Sequence, residues 1–187
     1  KAIKSFTLTD MATRIAERHN VPIDEVPVGF KHISEKLLTD DVLIGGEESG
    51  GIAVKGHIPE RDGVLIGLLL MEAVAEAGKP PSQLIDTLMD EVGEHHYQRR
   101  DLHLEERTEA VQRIAEARPE QFGGRTVREI ETLDGLKLRF DDGWLLFRAS
   151  GTEPVLRVYC EMDDPRKVAE MIDEGVKVAR GERELWS

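Results

Sequence analysis

Arg148-Ala149-Ser150-Gly151-Thr152-Glu153-Pro154 sets an arginine, two hydroxyls and a glycine in one short loop, with Arg157 just beyond it. A plain hairpin needs only a turn. Backbone N–H groups around Ser150, Gly151 and Thr152 can curl into an anion-binding nest, the hydroxyls add donors, and glycine tolerates positive φ. An arginine adds a planar fork that matches phosphate oxygens. The segment therefore reads as a holder for the phosphate of a small phosphorylated ligand. The competing reading is an ordinary polar hairpin with surface arginines. Glu153 is assigned a structural part, since a carboxylate facing a phosphate is repulsive.

A second chemical segment is Gly45-Gly46-Glu47-Glu48-Ser49-Gly50-Gly51, which follows the apolar run Val42-Leu43-Ile44. Ligands of α/β layers bind beyond the carboxyl ends of strands, where this loop is expected to lie. If the loop is extended, Glu47 and Ser49 share a side, and a carboxylate beside a hydroxyl suits the adjacent hydroxyls of a sugar. Two acids make it a poor phosphate site. A glycine-rich turn with solvated acids is the alternative, and a divalent metal is a rival that lacks a third oxygen ligand at a recognisable spacing. Lys31, His57 and Arg61 are candidate cations around these loops, though each alone reads as a solvated surface residue. Glu105-Glu106-Arg107 reads as a solvated helix face. His95-His96, alternating across a strand, cannot share a metal.

The elements that position these residues fall into two groups. Up to about Gly93, short apolar strands alternate with helical patterns, as in an α/β layer domain. Ile3–Leu8 is expected as a strand, Thr9 or Asp10 as the cap of a helix ending at Asn20, and Val26–Val28 as a short edge strand. Ile33–Leu38 is expected as a helix and Val42–Ile44 as a buried strand. Asp62 caps a helix from Gly63 to Ala77 that Gly78 ends; being apolar on most sides, it is expected to be central. Another helix runs from Lys79-Pro80-Pro81-Ser82 to about Val92. From His95 the order is strand, helix (Glu106 to Ala117), three strands joined at Asp134-Gly135 and Asp142-Gly143, and a last helix opened by Asp164-Pro165. The expected domains are thus 1–93, an α/β layer, and 94–187, a smaller α+β module.

Composition narrows the class further. A chain of 187 residues, 40% hydrophobic, can build real cores. Its formal net charge of -12 argues against nucleic acid or an anionic membrane as main partner, so an anionic ligand needs a local basic pocket. The apolar run Val64–Met71 is far shorter than the roughly 20 residues that span a bilayer. Cys160 is the single cysteine, so no internal disulfide forms; this fits a cytoplasmic protein, and its apolar surroundings point to a buried, inert thiol. The opening at Lys1, directly on a strand-like segment, leads to the expectation that the sequence is a fragment.

Taken together, Gly46-Glu47-Glu48-Ser49-Gly50-Gly51 and Arg148-Ala149-Ser150-Gly151-Thr152-Glu153-Pro154 resemble motifs of the α-D-phosphohexomutase family. Val28-Gly29-Phe30-Lys31 and His57-Ile58-Pro59-Glu60-Arg61-Asp62-Gly63 strengthen the match, which covers essentially the whole chain. The resemblance implies most of the third and all of the fourth of four domains: a mixed-sheet α/β layer, then an antiparallel, TATA-binding-protein-like α+β domain. It implies a phosphoglucomutase or phosphomannomutase, because relatives acting on glucosamine phosphate more often carry Gln where Glu48 stands. Glu47 and Ser49 then meet the sugar hydroxyls, with Phe30, Lys31 and Arg61 lining the pocket. Arg148, Ser150, Gly151, Thr152 and, more weakly, Arg157 meet the phosphate that is not transferred.

Two departures limit what carries over. Arg61 stands where some relatives use lysine, and an arginine does not readily give up a proton, so its part is electrostatic. Gly51 stands where many relatives place histidine, so no acid or base role attaches there. The family's phosphoserine loop and its Asp-Gly-Asp-x-Asp-Arg metal motif are absent from this sequence. Mg²⁺ and hexose 1,6-bisphosphate are therefore expected in the intact enzyme and neither bound to this chain alone. The expected partners are a hexose phosphate and the N-terminal domains of the same protein, with no nucleic acid and no membrane. The alternative is a non-catalytic sugar-phosphate binding or regulatory module.

Overall fold

The computed structural model describes residues 1–183, so the end of the expected 94–187 module lies outside the described residues. The chain divides into two compact units of nearly equal length, Lys1–Glu94 and a second beginning at His95.

The first unit runs β1 (Ala2–Ser5), α1 (Asp10–Arg18), β2 (Ile23–Val26), α2 (Phe30–Thr39), β3 (Ile44–Gly46), β4 (Ile52–Val54), α3 (Gly63–Ala77) and α4 (Pro81–Val92). Its sheet is mixed, in the order β2-β1-β3-β4, with only the β3–β4 pair antiparallel. Short-range chemistry sets the helix ends. The Thr9 hydroxyl accepts from the Met11 amide, and the Asp62 carboxylate accepts from the amides of Val64 and Leu65. Gly78, at φ 61°, ends α3 in the left-handed conformation.

One face of this sheet is packed and the other is open. Ile3, Val26, Ala53 and Val42 form a core with Phe30 and Ile33 of α2. On the opposite face a groove of about 540 Å³ runs between α1 and the sheet, lined by Ala2, Ile15, Ile44 and Ile52 among others. Two expectations fail here. β3 begins only at Ile44, and Leu43 and Ile44 are exposed because they border this groove. α3, expected to be central, has no buried residue; Val64 and Met71 stand more than 60% exposed. Its composition is that of a core helix, but among the described residues its substantial contacts are with β4 and α4, and most of its circumference is exposed.

The second unit runs β5 (His96–His103), α5 (Arg107–Ala117), β6 (Gln121–Phe122), β7 (Arg125–Thr126), β8 (Glu129–Glu131), β9 (Leu136–Phe140), β10 (Gly143–Ala149), β11 (Val155–Met162) and α6 (Pro165–Ala179). Five strands form an antiparallel sheet in the order β5-β11-β10-β9-β8, and β6 and β7 make a separate small hairpin that the residue pattern gave no sign of. Leu138, Leu145, Phe147, Val158 and Cys160 face α5 and α6, where Ile114, Val168, Met171 and Ile172 complete the core. Gly143 must be glycine. At φ 152° a Cβ there would sit 2.0 Å from the Glu161 carbonyl oxygen. The Asp164 carboxylate caps α6 by accepting from the Arg166 amide.

Candidate functional site

In the first unit, the turn after β3 holds Glu47 firmly. The Glu47 amide donates to the Gly51 carbonyl and the Gly50 amide donates back to the Glu47 carbonyl, closing a tight turn. The loop is therefore not extended, and the expected common side for Glu47 and Ser49 does not follow. Glu47 is buried, whereas Ser49 is exposed. One Glu47 oxygen, Oε1, accepts from the Gly29 amide at 2.9 Å; the other lies 3.7 Å from Arg61. Glu48 is pinned separately, accepting from the Thr7 hydroxyl at 2.7 Å.

Arg61 and Phe30 join Glu47, while Lys31 does not. The Arg61 guanidinium lies 5.5 Å from the centre of the Phe30 ring, a cation–π distance. Gly51 makes room for this arrangement: a Cβ there would meet Arg61 Cδ at 3.3 Å and Glu47 Oε2 at 3.5 Å. Lys31 is exposed on α2 and makes no hydrogen bond or ion pair with Glu47 or Arg61. His57 serves the fold: its ring is 2.9 Å from Asp62, the cap of α3. The backbone N–H of Leu65 and the His57 bond hold the Asp62 carboxyl below the usual range.

In the second unit, the sheet register puts Arg148 directly opposite Arg157 across the β10–β11 pair. Like charges facing each other on adjacent strands are unfavourable by roughly 0.2–1 kcal/mol. Carboxylates offset part of this. Arg148 Nε donates to Asp134 at 3.0 Å, and Arg157 lies 3.3 Å from Glu153 and 3.7 Å from Asp101. The Arg157 Nε atom is nevertheless buried without a hydrogen-bond partner. Two arginines thus sit at the base of one loop, each with its guanidinium held toward a carboxylate on its own side of the β10–β11 pair.

The loop itself departs from the expected nest. The Ser150 amide donates to the Val155 carbonyl, and the buried Ser150 Oγ accepts at 3.4 Å and 3.3 Å from the amides of Thr152 and Glu153. The Gly151 N–H remains uncommitted among the described residues, and the space in front of its Cα is open. Gly151 is not among the positive-φ glycines, so its value here is access rather than conformation. The Ser150 and Thr152 hydroxyls keep their protons for donation. Arg107 was missed by sequence reasoning: it is half-buried, and its Nε donates to the Ser150 carbonyl at 2.9 Å. Its helix-face charge pattern carried no signal for that bond.

Among the described residues, no cluster of three or more His, Cys, Asp and Glu can hold a metal. Cys160 is fully buried, and burial pushes its thiol pKa up, which keeps it protonated. No described helix is long and apolar enough to cross a membrane.

A mixed α/β layer followed by an antiparallel α+β unit, each with one polar loop at its sheet end, defines the fold class as α/β. Residues 1–92 match "Phosphoglucomutase/phosphomannomutase, alpha/beta/alpha domain III", and residues 100–178 match "Phosphoglucomutase/phosphomannomutase, C-terminal domain". A phosphoglucomutase/phosphomannomutase of Thermococcus kodakarensis is 33% identical over 177 residues, covering 94% of this chain and 37% of the relative. A phosphoglucosamine/phosphogalactosamine mutase of Sulfurisphaera tokodaii is 28% identical over 97% of this chain and 39% of its own length. The solved structure of a putative phosphomannomutase from Thermus thermophilus is 36% identical, with a TM-score of 0.79 over 96% of this chain and 36% of that one. The chain belongs to the phosphoglucomutase/phosphomannomutase family, a phosphohexomutase family, and covers its C-terminal domains III and IV. It spans little more than a third of the length of these relatives.

Proposed function

We propose that this chain is the substrate-orienting part of a phosphoglucomutase or phosphomannomutase, which interconverts hexose 1-phosphate and hexose 6-phosphate. In this reading Arg148, Ser150, Gly151 and Thr152, with Arg157, hold the phosphate that is not being transferred. Glu47 receives ring hydroxyls beside Phe30 and Arg61, and the exposed Ser49 and Lys31, which make no hydrogen bond to Glu47, add polar contacts to the ligand from outside that cluster. The observation that carries the reading is the Arg148–Arg157 pair facing across β10 and β11, with the buried Arg157 Nε left without a hydrogen-bond acceptor. A fold gains nothing from placing like charges opposite each other; an anion bound between them restores the balance.

The chemistry follows from what a mutase must do. A phosphoserine gives its phosphoryl group to the free hydroxyl at one end of the hexose monophosphate; the resulting hexose 1,6-bisphosphate reorients and returns the phosphoryl group at its other end to the serine. The loop must therefore accept either phosphate of the same sugar, and grips built on backbone N–H, hydroxyls and guanidinium fit both ends alike. Glu47, held by the Gly29 amide, keeps lone pairs for hydroxyl donors. The phosphoserine and the Mg²⁺ site belong to the remaining part of the intact protein, and the chain alone is inactive. Supplying the chain with glucose 1-phosphate, glucose 1,6-bisphosphate and Mg²⁺ is the test. No glucose 6-phosphate is expected, whereas joining the chain to the rest of its protein restores turnover. Turnover by the chain alone overturns the reading.

A further inference from the structure

The loop's uncommitted amide depends on an arginine from another element. Ser150 and Gly151 share a peptide unit, and no cis peptide bond occurs among the described residues. In a planar trans peptide the N–H points away from the C=O. Arg107 Nε donates to the Ser150 carbonyl at 2.9 Å, so the carbonyl is turned toward Arg107 and the Gly151 N–H, which has no partner among the described residues, is turned the opposite way.

Arg107 is placed for this and for little else. It opens α5, where a cation works against the helix macrodipole, and Glu106 provides no side-chain cap. Arg148 and Arg157 each have carboxylate partners, but Arg107 makes no ion pair among the described residues. Its remaining bond is from Nη1 to the Glu105 carbonyl at 3.3 Å, which ties the guanidinium plane at a second point. Two carbonyls on different segments thus fix one rigid fork.

We propose that Arg107 is a positioning residue that aims the Gly151 amide at the bound phosphate. This rests on the reading of the 150–154 loop as a phosphate holder and assigns Arg107 a part in that site. The same guanidinium leaves uncompensated positive charge beside the loop, which favours an anion there.

The test is ¹⁵N NMR of the full chain, titrated with glucose 6-phosphate, in wild type and in the variants R107A, R107K, R107Q, R148A and E109A. E109A, an exposed residue in the first turn of α5, is the control for the helix. Wild type is expected to shift at Gly151. R107A should weaken binding about tenfold, displace the free-state Gly151 amide resonance and speed its solvent exchange several-fold, with β10 resonances unchanged. R107K should recover part of the affinity, R107Q should restore the resonance position more than the affinity, and E109A should match wild type. If R107A binds as wild type while R148A is weakened, the positioning role is overturned and the loop reading stands. If the wild-type loop does not respond to glucose 6-phosphate, both are overturned. An R107A loss that R107K does not relieve at all, with β10 perturbed, marks a structural defect and overturns the proposal.

Discussion

Replacing Arg148 by alanine separates a ligand-holding arginine from a structural one. Two stability effects oppose each other. The variant loses the Asp134 ion pair, whose partners are 18% and 25% exposed, so solvent screening keeps its worth at about 0.2–1 kcal/mol. It also removes the repulsion with Arg157 directly across the ladder, a gain of roughly 0.2–1 kcal/mol. The net change in folding stability should lie within about 0.5 kcal/mol of zero, by the same estimates. Ligand binding has no such compensation. A guanidinium–phosphate contact is a charge-assisted hydrogen bond worth about 1.5–3 kcal/mol, so affinity for glucose 6-phosphate should fall roughly 10- to 150-fold. Stability is read by urea unfolding followed through Trp144, which is fully buried in the second unit, with Trp186 replaced by phenylalanine to leave one reporter. Affinity is read by calorimetric titration on the same samples. A stability loss above about 2 kcal/mol, the range of a buried structural partner, or an unchanged affinity would refute the reasoning.

Other consequences concern the scaffold around the two loops. Gly143→Ala should destabilise the second unit by at least about 2 kcal/mol in the same urea assay, because its Cβ collides with the Glu161 carbonyl at an unfavourable φ. Gly51→Ala should cost little stability, since Gly51 does not occupy positive φ. It should displace Arg61 from Phe30, visible as a shift of the Phe30 ring resonances. Asp164, held at a pKa of about 2 by its bonds to the Arg166 side chain and amide, makes α6 acid-sensitive. Its depressed pKa contributes stability that is complete above the ordinary Asp range, near 4, and is lost as pH falls through about 2. Amide exchange at the start of α6 should accelerate over that window, and an Asp164→Ala chain should lose this dependence.

Much of the scaffold is legible in the sequence because its signals are local. Asp62 and Gly78 bracket α3, Asp164-Pro165 opens α6, and Asp134-Gly135 and Asp142-Gly143 mark the hairpins; each works through its own backbone and near neighbours. What failed depended on distant neighbours. The apolar character of α3 says that it wants a partner, not that this segment supplies one. Arg107 illustrates the same limit at the site. A charged residue in the first turn of a helix looks solvated until the loop 43 residues away turns a carbonyl toward it. The Arg148–Arg157 pairing was one residue out of reach: a five-residue loop from Ser150 to Pro154 would put 148 opposite 156, but the Ser150 amide pairs with the Val155 carbonyl, which sets 149 opposite 156 and 148 opposite 157. The Glu47–Ser49 expectation failed because a run of glycines allowed a tight turn where extended backbone was assumed.

Comparing a phosphorylated sugar with its parent tests most directly the proposed recognition of phosphate, rather than sugar, by the 150–154 loop. The amides of Ser150, Gly151 and Thr152 should shift in ¹⁵N NMR on addition of glucose 6-phosphate and stay in place on addition of glucose at the same concentration. Equal responses to the two sugars, or no response at these amides to glucose 6-phosphate, would contradict it.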